Sequence, residues 1–252
     1  MPTIQAVTLD IWQTLLIDCQ EWGRERARLR IQGALDALHA AGEPATQSQV
    51  RKAYRACYLS CQAVRHAGRD VSFKEQVQTF VGGIADGLLE RISRDTFAHI
   101  LNRYADSFFE CPPAMPEDVP DMLSTLKSSG YRLGVISNTG QTPGRLIRAY
   151  LEDLDIIQYF DHMTFSDEVR LSKPTPAIFL HTLASMGCLA EQVVHVGDHL
   201  RNDIFGAEQV GIATVWVDGF DTSVAEVKPT ITIHRIADLP GALETLVGTR
   251  DT

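Results

Sequence analysis

The feature that most limits what this chain can fold into is the distribution of its β-prone runs. Ile4-Gln5-Ala6-Val7-Thr8-Leu9 is β-prone and stops at Asp10, but from about Gln20 to Glu110 there is no convincing strand and no proline except Pro44. Leu29, Leu35 and Leu38 recur there at helical spacing. Ala41-Gly42-Glu43-Pro44 breaks the first helix, and Thr46 caps a second over about Gln47 to His66. After the break at Ala67-Gly68-Arg69-Asp70, Ser72 caps a third helix running to about Ile92. Ser93 starts a fourth that carries Phe97, Ile100, Leu101, Tyr104 and Phe108. Four helices joined by short loops predict an antiparallel bundle.

The proline-rich segment Cys111-Pro112-Pro113-Ala114-Met115-Pro116 ends this region, and the texture then alternates. A helix near Asp118 to Ser129 precedes the strand Tyr131 to Ile136, which ends at Ser137-Asn138. A helix over Pro143 to Leu151, a short strand His162 to Phe165 and a helix over Thr175 to Met186 follow. The strand Val193 to Val196 ends at Gly197-Asp198. A helix over Arg201 to Val210, the strand Ala213 to Val217 and a last β-α pair complete the chain. Alternation of this kind predicts an α/β fold with a doubly wound parallel sheet, Rossmann-like, and an all-helical cap inserted after the first strand. The expected division is a core of residues 1–17 and 112–252 and a cap of residues 18–111.

The formal net charge of −9 disfavours binding a phosphate backbone, so no nucleic-acid partner is expected. No apolar run reaches membrane-spanning length, and no basic segment leads into an apolar stretch at the start, so no membrane partner is expected. The five cysteines form no CxxC pair and read as reduced thiols of a cytoplasmic chain, with Cys57 and Cys61 most simply buried apolar groups. The glycine patterns that cradle dinucleotides or nucleoside triphosphates are missing.

In a parallel sheet, ligands bind beyond the carboxyl ends of the strands. Asp10, Ser137-Asn138 and Asp198 stand at three such ends, and Lys173 lies in a loop before a helix. Carboxylates brought together repel unless a cation lies between them, and a hard ion such as Mg²⁺ suits oxygen ligands. Asp203 either orients a metal-bound water or is a helix-start acid favoured by the dipole. Trp12 either plugs a cap–core seam or touches substrate, and His199 is either surface or site. His195 reads as a hydrogen-bonded buried histidine. Trp22, Tyr54 and Tyr58 read as packing residues, and Arg24, Arg26, Arg28 and Arg30 as a solvated helix face.

Asp10-Ile11-Trp12-Gln13-Thr14-Leu15, Val135-Ile136-Ser137-Asn138, Lys173-Pro174 and Gly197-Asp198-His199-Leu200-Arg201-Asn202-Asp203, in this order at strand ends, resemble the haloacid dehalogenase superfamily in its helically capped (C1) form. The resemblance implies Asp10 as nucleophile and Mg²⁺ held by Asp10, the Trp12 main chain and Asp198. It further implies that Ser137 and Asn138 bind the transferring group and that Lys173 neutralises charge there. The implied substrate is a small phosphorylated metabolite, and the implied state a monomer or homodimer. One position departs. Phosphatases of the superfamily carry a second Asp where Trp12 stands, and an indole cannot move that proton. His199 and Asp203 are the nearest replacements. The superfamily's 2-haloacid dehalogenases also lack that second acid and need no metal, and their cap would place a carboxylate-binding arginine where Arg24, Arg26, Arg28 and Arg30 stand, so a 2-haloacid substrate is the alternative, and a catalytically silent binding protein another.

Overall fold

The structure, a computed structural model, describes residues 4–221 and 227–248. Six strands form one sheet: β1 (Ala6–Leu9), β2 (Arg132–Ser137), β3 (His162–Phe165), β4 (Val193–Gly197), β5 (Ala213–Val217) and β6 (Ile231–Ile233). Their order is β3-β2-β1-β4-β5-β6, and every pairing is parallel. Both faces of such a sheet are covered, which is why β1 and β4 are buried along their whole length. The fold is the expected α/β, doubly wound parallel sheet.

Five helices follow β1 before the proline-rich segment: α1 (Gln20–Ala40), α2 (Gln47–His66), α3 (Phe73–Gly82), α4 (Leu88–Arg91) and α5 (Arg94–Glu110). Thr46 and Ser72 each form a reciprocal capping box, with Gln49 and Glu75, and Ser93 accepts from the Thr96 amide. The third helix does not run to Ile92. Gly82 and Gly83 weaken it, and Gly87, at φ +66°, turns the chain before α4 starts. Cys57 and Cys61 are buried in this helical segment with their sulfurs 4.0 Å apart.

Helices α6 (Val119–Ser128), α7 (Gly144–Asp153), α8 (Ser166–Val169), α9 (Pro176–Met186), α10 (Gly206–Glu208) and α11 (Leu239–Gly248) accompany the sheet. Leu123, Ile147 and Leu243 pack with Val7, Leu9 and Val196 in one apolar cluster, whereas Ile178, Phe179 and Ala207 belong to another that includes Ala6 and Ile136. The helix expected over Arg201 to Val210 is instead a π-helical turn, Leu200–Phe205, leading into α10. Both carboxylate oxygens of Asp203 are engaged inside this wider turn and against the strand ends, so regular α geometry yields to the side chain's position. No helix among the described residues is long and apolar enough to cross a membrane.

The chain enters and leaves the helical segment side by side: Ile17 and Ala114 exchange backbone hydrogen bonds of 2.7 and 2.9 Å. A separate apolar cluster fills the segment's interior, and Trp12 and Tyr150 pack against both this cluster and that of the sheet. Phe108 of α5 is fully buried where they meet, its ring edge-on to Trp12 (6.4 Å) and Tyr150 (5.4 Å). Phe108→Ala removes the joint of the two clusters, so it should cost about 3–5 kcal/mol in chemical denaturation. A loss within about 0.5 kcal/mol, the range typical of surface substitutions, would place this ring outside the core.

Candidate active site

β1 lies in the middle of the sheet, with β2 on one side and β4 on the other, so the chain's path changes direction across it. Asp10 is the first residue beyond β1, at this switch point, and its amide donates to the Val196 carbonyl (2.9 Å). Its carboxylate, 6% exposed, accepts from Lys173 Nζ at 2.7 Å. The same ammonium donates to Asp203 Oδ1 at 2.6 Å and to the Ile136 carbonyl at 2.7 Å. Three N–H groups thus meet three acceptors, which is what a lysine only 3% exposed requires.

The loop carrying Lys173 is held by Asn138. The Asn138 side-chain amide donates to the Lys173 carbonyl (3.0 Å), and its oxygen accepts from the Lys173 amide (2.8 Å). Both side-chain groups of Asn138, a residue expected to bind the transferring group, are engaged with the lysine backbone, and the residue also lines the cavity at Asp10. Ser137 at the end of β2 is completely buried, and its hydroxyl has no hydrogen-bond partner. Such an orphan is costly unless a ligand completes it.

Asp203 is 1% exposed and spends both oxygens. Besides Lys173, it accepts from the His199 amide at 2.9 Å. His195 Nε2 lies 3.4 Å from Oδ1, and His195 Nδ1 lies 2.9 Å from the Thr8 hydroxyl. Burial lowers the His195 pKa, so the ring is neutral. The network then assigns its proton to Nε2, facing Asp203, with Nδ1 accepting from Thr8. Gly197 permits this approach: a Cβ there would overlap the Asp203 carboxyl.

One carboxylate oxygen each from Asp10, Asp198 and Asp203 lie within 4.8 Å of one another. Burial, together with the charges of Asp10 and Asp203, pushes Asp198 up to about 8. Burial likewise raises Asp10 against the pull of Lys173. At Asp203 burial is outweighed by Lys173 and the His195 hydrogen bond, and the group sits well below the usual carboxylate range. Three carboxylates gather near one ammonium that bonds to only Asp10 and Asp203, and the uncompensated charge falls on Asp198. A divalent cation at Asp10 and Asp198 would relieve it, so the residues present fit Mg²⁺. The Asp198 carbonyl is itself fixed by the Trp216 indole N–H (2.7 Å).

A cavity of about 250 Å³ collects Asp10, Trp12, Asn138, Lys173, Asp198, His199 and Asp203. Trp12, half-buried, closes the seam against Phe108, as one of its two readings expected, and it also lines this cavity. The His199 side chain is 45% exposed at the cavity, its Nδ1 3.1 Å from Asp221 Oδ2 without hydrogen-bond alignment. The arginine run is not one solvated face. Arg24 and Arg28 are exposed, but Arg26 and Arg30, two residues out of phase on the same helix, are buried. His195 is the hydrogen-bonded buried histidine expected from the sequence, but neither its partner Thr8 nor its place against Asp203 was foreseen. The only trace of this pairing is the strand period of two, which puts Thr8 on the Asp10 side of β1 and His195 on the Gly197 side of β4.

Residues 59–217 match the family profile described as haloacid dehalogenase-like hydrolase. A glyceraldehyde 3-phosphate phosphatase from Methanothermobacter thermautotrophicus is 34% identical, over 76% of this chain and 78% of its own. A phosphoglycolate phosphatase from Salmonella typhimurium is 28% identical, over 69% of this chain and 79% of its own. The crystal structure of a 2-haloacid dehalogenase from Pseudomonas syringae pv. Tomato DC3000 shares the fold, with a TM-score of 0.70 at 20% identity, covering 97% of this chain and 100% of that one. The chain belongs to the haloacid dehalogenase-like hydrolase family. It is an enzyme, a hydrolase.

Gly197→Ala should push Asp203 off the strand end and release Lys173 from one of its two carboxylates. The expected result is an overpacking loss of about 1–3 kcal/mol in stability together with a fall in turnover. Unchanged stability and turnover would show that the close approach is dispensable.

Proposed function

We propose that this hydrolase is a Mg²⁺-dependent phosphatase acting on a small phosphorylated metabolite through an aspartyl-phosphate at Asp10. The observation that carries the reading is the buried ammonium of Lys173 holding Asp10 beside Asp198, with the unpartnered Ser137 hydroxyl at the neighbouring strand end. A phosphatase name on the relative from Methanothermobacter supports it.

In this reading an Asp10 oxygen attacks phosphorus, the bond from phosphorus to the ester oxygen breaks, the departing oxygen takes up a proton from solvent, and water later cleaves the aspartyl-phosphate to release inorganic phosphate and restore the Asp10 carboxylate. Ser137 donates its free O–H to a phosphoryl oxygen. Lys173 orients Asp10 and offsets negative charge as it gathers. Asp203 keeps Lys173 in place and, with both oxygens committed, does not serve as the proton donor. Asp10, Asp198 and the Trp12 main chain would hold the metal, which supplies positive charge to the phosphoryl oxygens. His199 is the imidazole exposed at the cavity beside the leaving group. Segment 18–111 acts as a cap that closes over the substrate, and Trp12 fills the seam at its base. The chain would work in the cytoplasm as a monomer or homodimer.

A second reading, a 2-haloacid dehalogenase, is favoured by Trp12 alone, because a halide leaves without a proton. A metabolite panel separates the two. Phosphate release that requires Mg²⁺ and disappears in Asp10→Asn is the expected result, and halide release in EDTA would replace this reading with the second. Trp12→Asp adds the missing acid and should raise turnover by about 10²–10⁴-fold. Activity found only in that variant would make the natural chain a binding protein.

Proton and cation compete at Asp198, whose carboxyl without metal holds its proton up to about 8. Mg²⁺ affinity measured by calorimetry should therefore rise about tenfold per pH unit up to that value and then level off. A pH-independent affinity between 6 and 9 would contradict a ligand role for Asp198.

A further inference from the structure

We propose that the helical segment carries a second ligand site, an apolar cavity between α3, α4 and α5 that takes a free carboxylate with a hydrocarbon tail, a fatty acid of medium length. The cavity, about 640 Å³, falls in the size range of small-molecule sites. None of the residues around Asp10 lines it, so the site stands apart from the phosphatase reading. Its apolar walls include Leu89, Ile92, Phe97 and Leu101, each half-buried. One side of each packs on the segment's own apolar cluster, and the other is left facing the cavity.

The charges around this apolar interior have one sign. Lys74 and Arg94 line it and no carboxylate does, in a chain with 32 acidic residues against 23 basic ones. Both cations stand in the first turn of a helix, α3 and α5, where the macrodipole disfavours positive charge, so helix stability does not account for them. Among the described residues neither forms an ion pair. Glu75, next to Lys74, is turned instead to Arg170 and to the Ser72 amide (3.0 Å). An apolar body with one anionic end matches both properties. Its tail covers the four apolar side chains, and its carboxylate meets the ammonium and the guanidinium.

The shape separates this ligand from a protein partner. A stable interface needs about 800 Å² on each side, with apolar residues on a broad face. The large apolar side chains that stand exposed on the helical segment, Tyr58, Leu59 and Phe109, lie outside the lining of this cavity. Glu90, Arg91 and Asp95, next in sequence to its lining, are exposed charges. The uncovered apolar surface is therefore concave and bounded, which suits a chain of methylenes rather than a second subunit or a flat membrane surface.

The test is calorimetric titration of the full chain with hexanoate, octanoate and decanoate, each below its micelle-forming concentration, with 1-octanol and acetate as comparators. One site per chain is expected, with affinity rising by up to about fourfold per methylene. Octanoate should bind about 3- to 30-fold more tightly than 1-octanol, and acetate should not bind. In the double variant Lys74→Gln, Arg94→Gln the preference over 1-octanol should vanish while the dependence on tail length remains. Ala98→Trp, at an exposed position on the cavity wall, should fill the site and abolish binding of every tail. If Ala98→Trp does not fold, the double variant decides alone. No saturable binding, an affinity independent of tail length, a preference over 1-octanol that persists in the double variant, or binding that survives Ala98→Trp overturns the proposal. So does self-association of the natural chain that Ala98→Trp abolishes in sedimentation, which would seat a second copy there. Recruitment to phosphatidylglycerol vesicles in place of octanoate binding overturns it as well. None of these outcomes bears on the cleavage of phosphoesters.

Discussion

A single buried ammonium organises the centre of this molecule. Lys173 has given up water for two carboxylates and a main-chain carbonyl, and each comes from a different part of the chain: the end of β1, the π-helical turn after β4, and β2. A lysine at such depth is tolerable only if every N–H is satisfied and its charge is matched. The surrounding structure is arranged to meet both conditions. Asn138 grips the lysine backbone from β2, Gly197 leaves room for Asp203, and Thr8 and His195 brace Asp203 from behind.

The ammonium does not complete the electrostatics. With Asp198 included, negative charge exceeds positive, and the imbalance is expressed where burial is least compensated, at Asp198. Lys173 can be shared by Asp10 and Asp203 because all three are rigidly held, but it makes no hydrogen bond to Asp198. That asymmetry distinguishes the carboxylates. Asp203 has both oxygens committed, Asp198 makes no hydrogen bond to the lysine, and Asp10 both accepts from the lysine and lines the cavity.

Trp12 joins the chemistry to the packing. Its ring meets Phe108 of the helical segment, while its position on the chain places it two residues beyond Asp10. Where a carboxyl would move a proton, the indole instead seals an apolar joint between the two hydrophobic clusters. The same ring lines the cavity that holds Asp10 and a larger one between the helical segment and the sheet.

The α/β class, the strand ends bearing Asp10, Ser137 and Asp198, and the helical segment after β1 were legible in local sequence, because apolar periodicity and capping residues act over a few positions. Thr46, Ser72 and Ser93 cap where local chemistry says they should. The break between α3 and α4, inside what reads as one helix to Ile92, falls at Gly82, Gly83 and Gly87, whose lack of a Cβ weakens and turns the chain there. Other properties depend on segments far apart in the chain. Nothing near Asn138 says that it will hold Lys173, thirty-five residues away, and helical phase separates Arg30 from Arg28 on α1 without deciding which of the two meets a buried surface. Local spacing could nominate the charged groups. Which of them lost water, which found a counter-ion and which was left without one depended on the folded packing, because desolvation and Coulomb pairing are properties of neighbours in space.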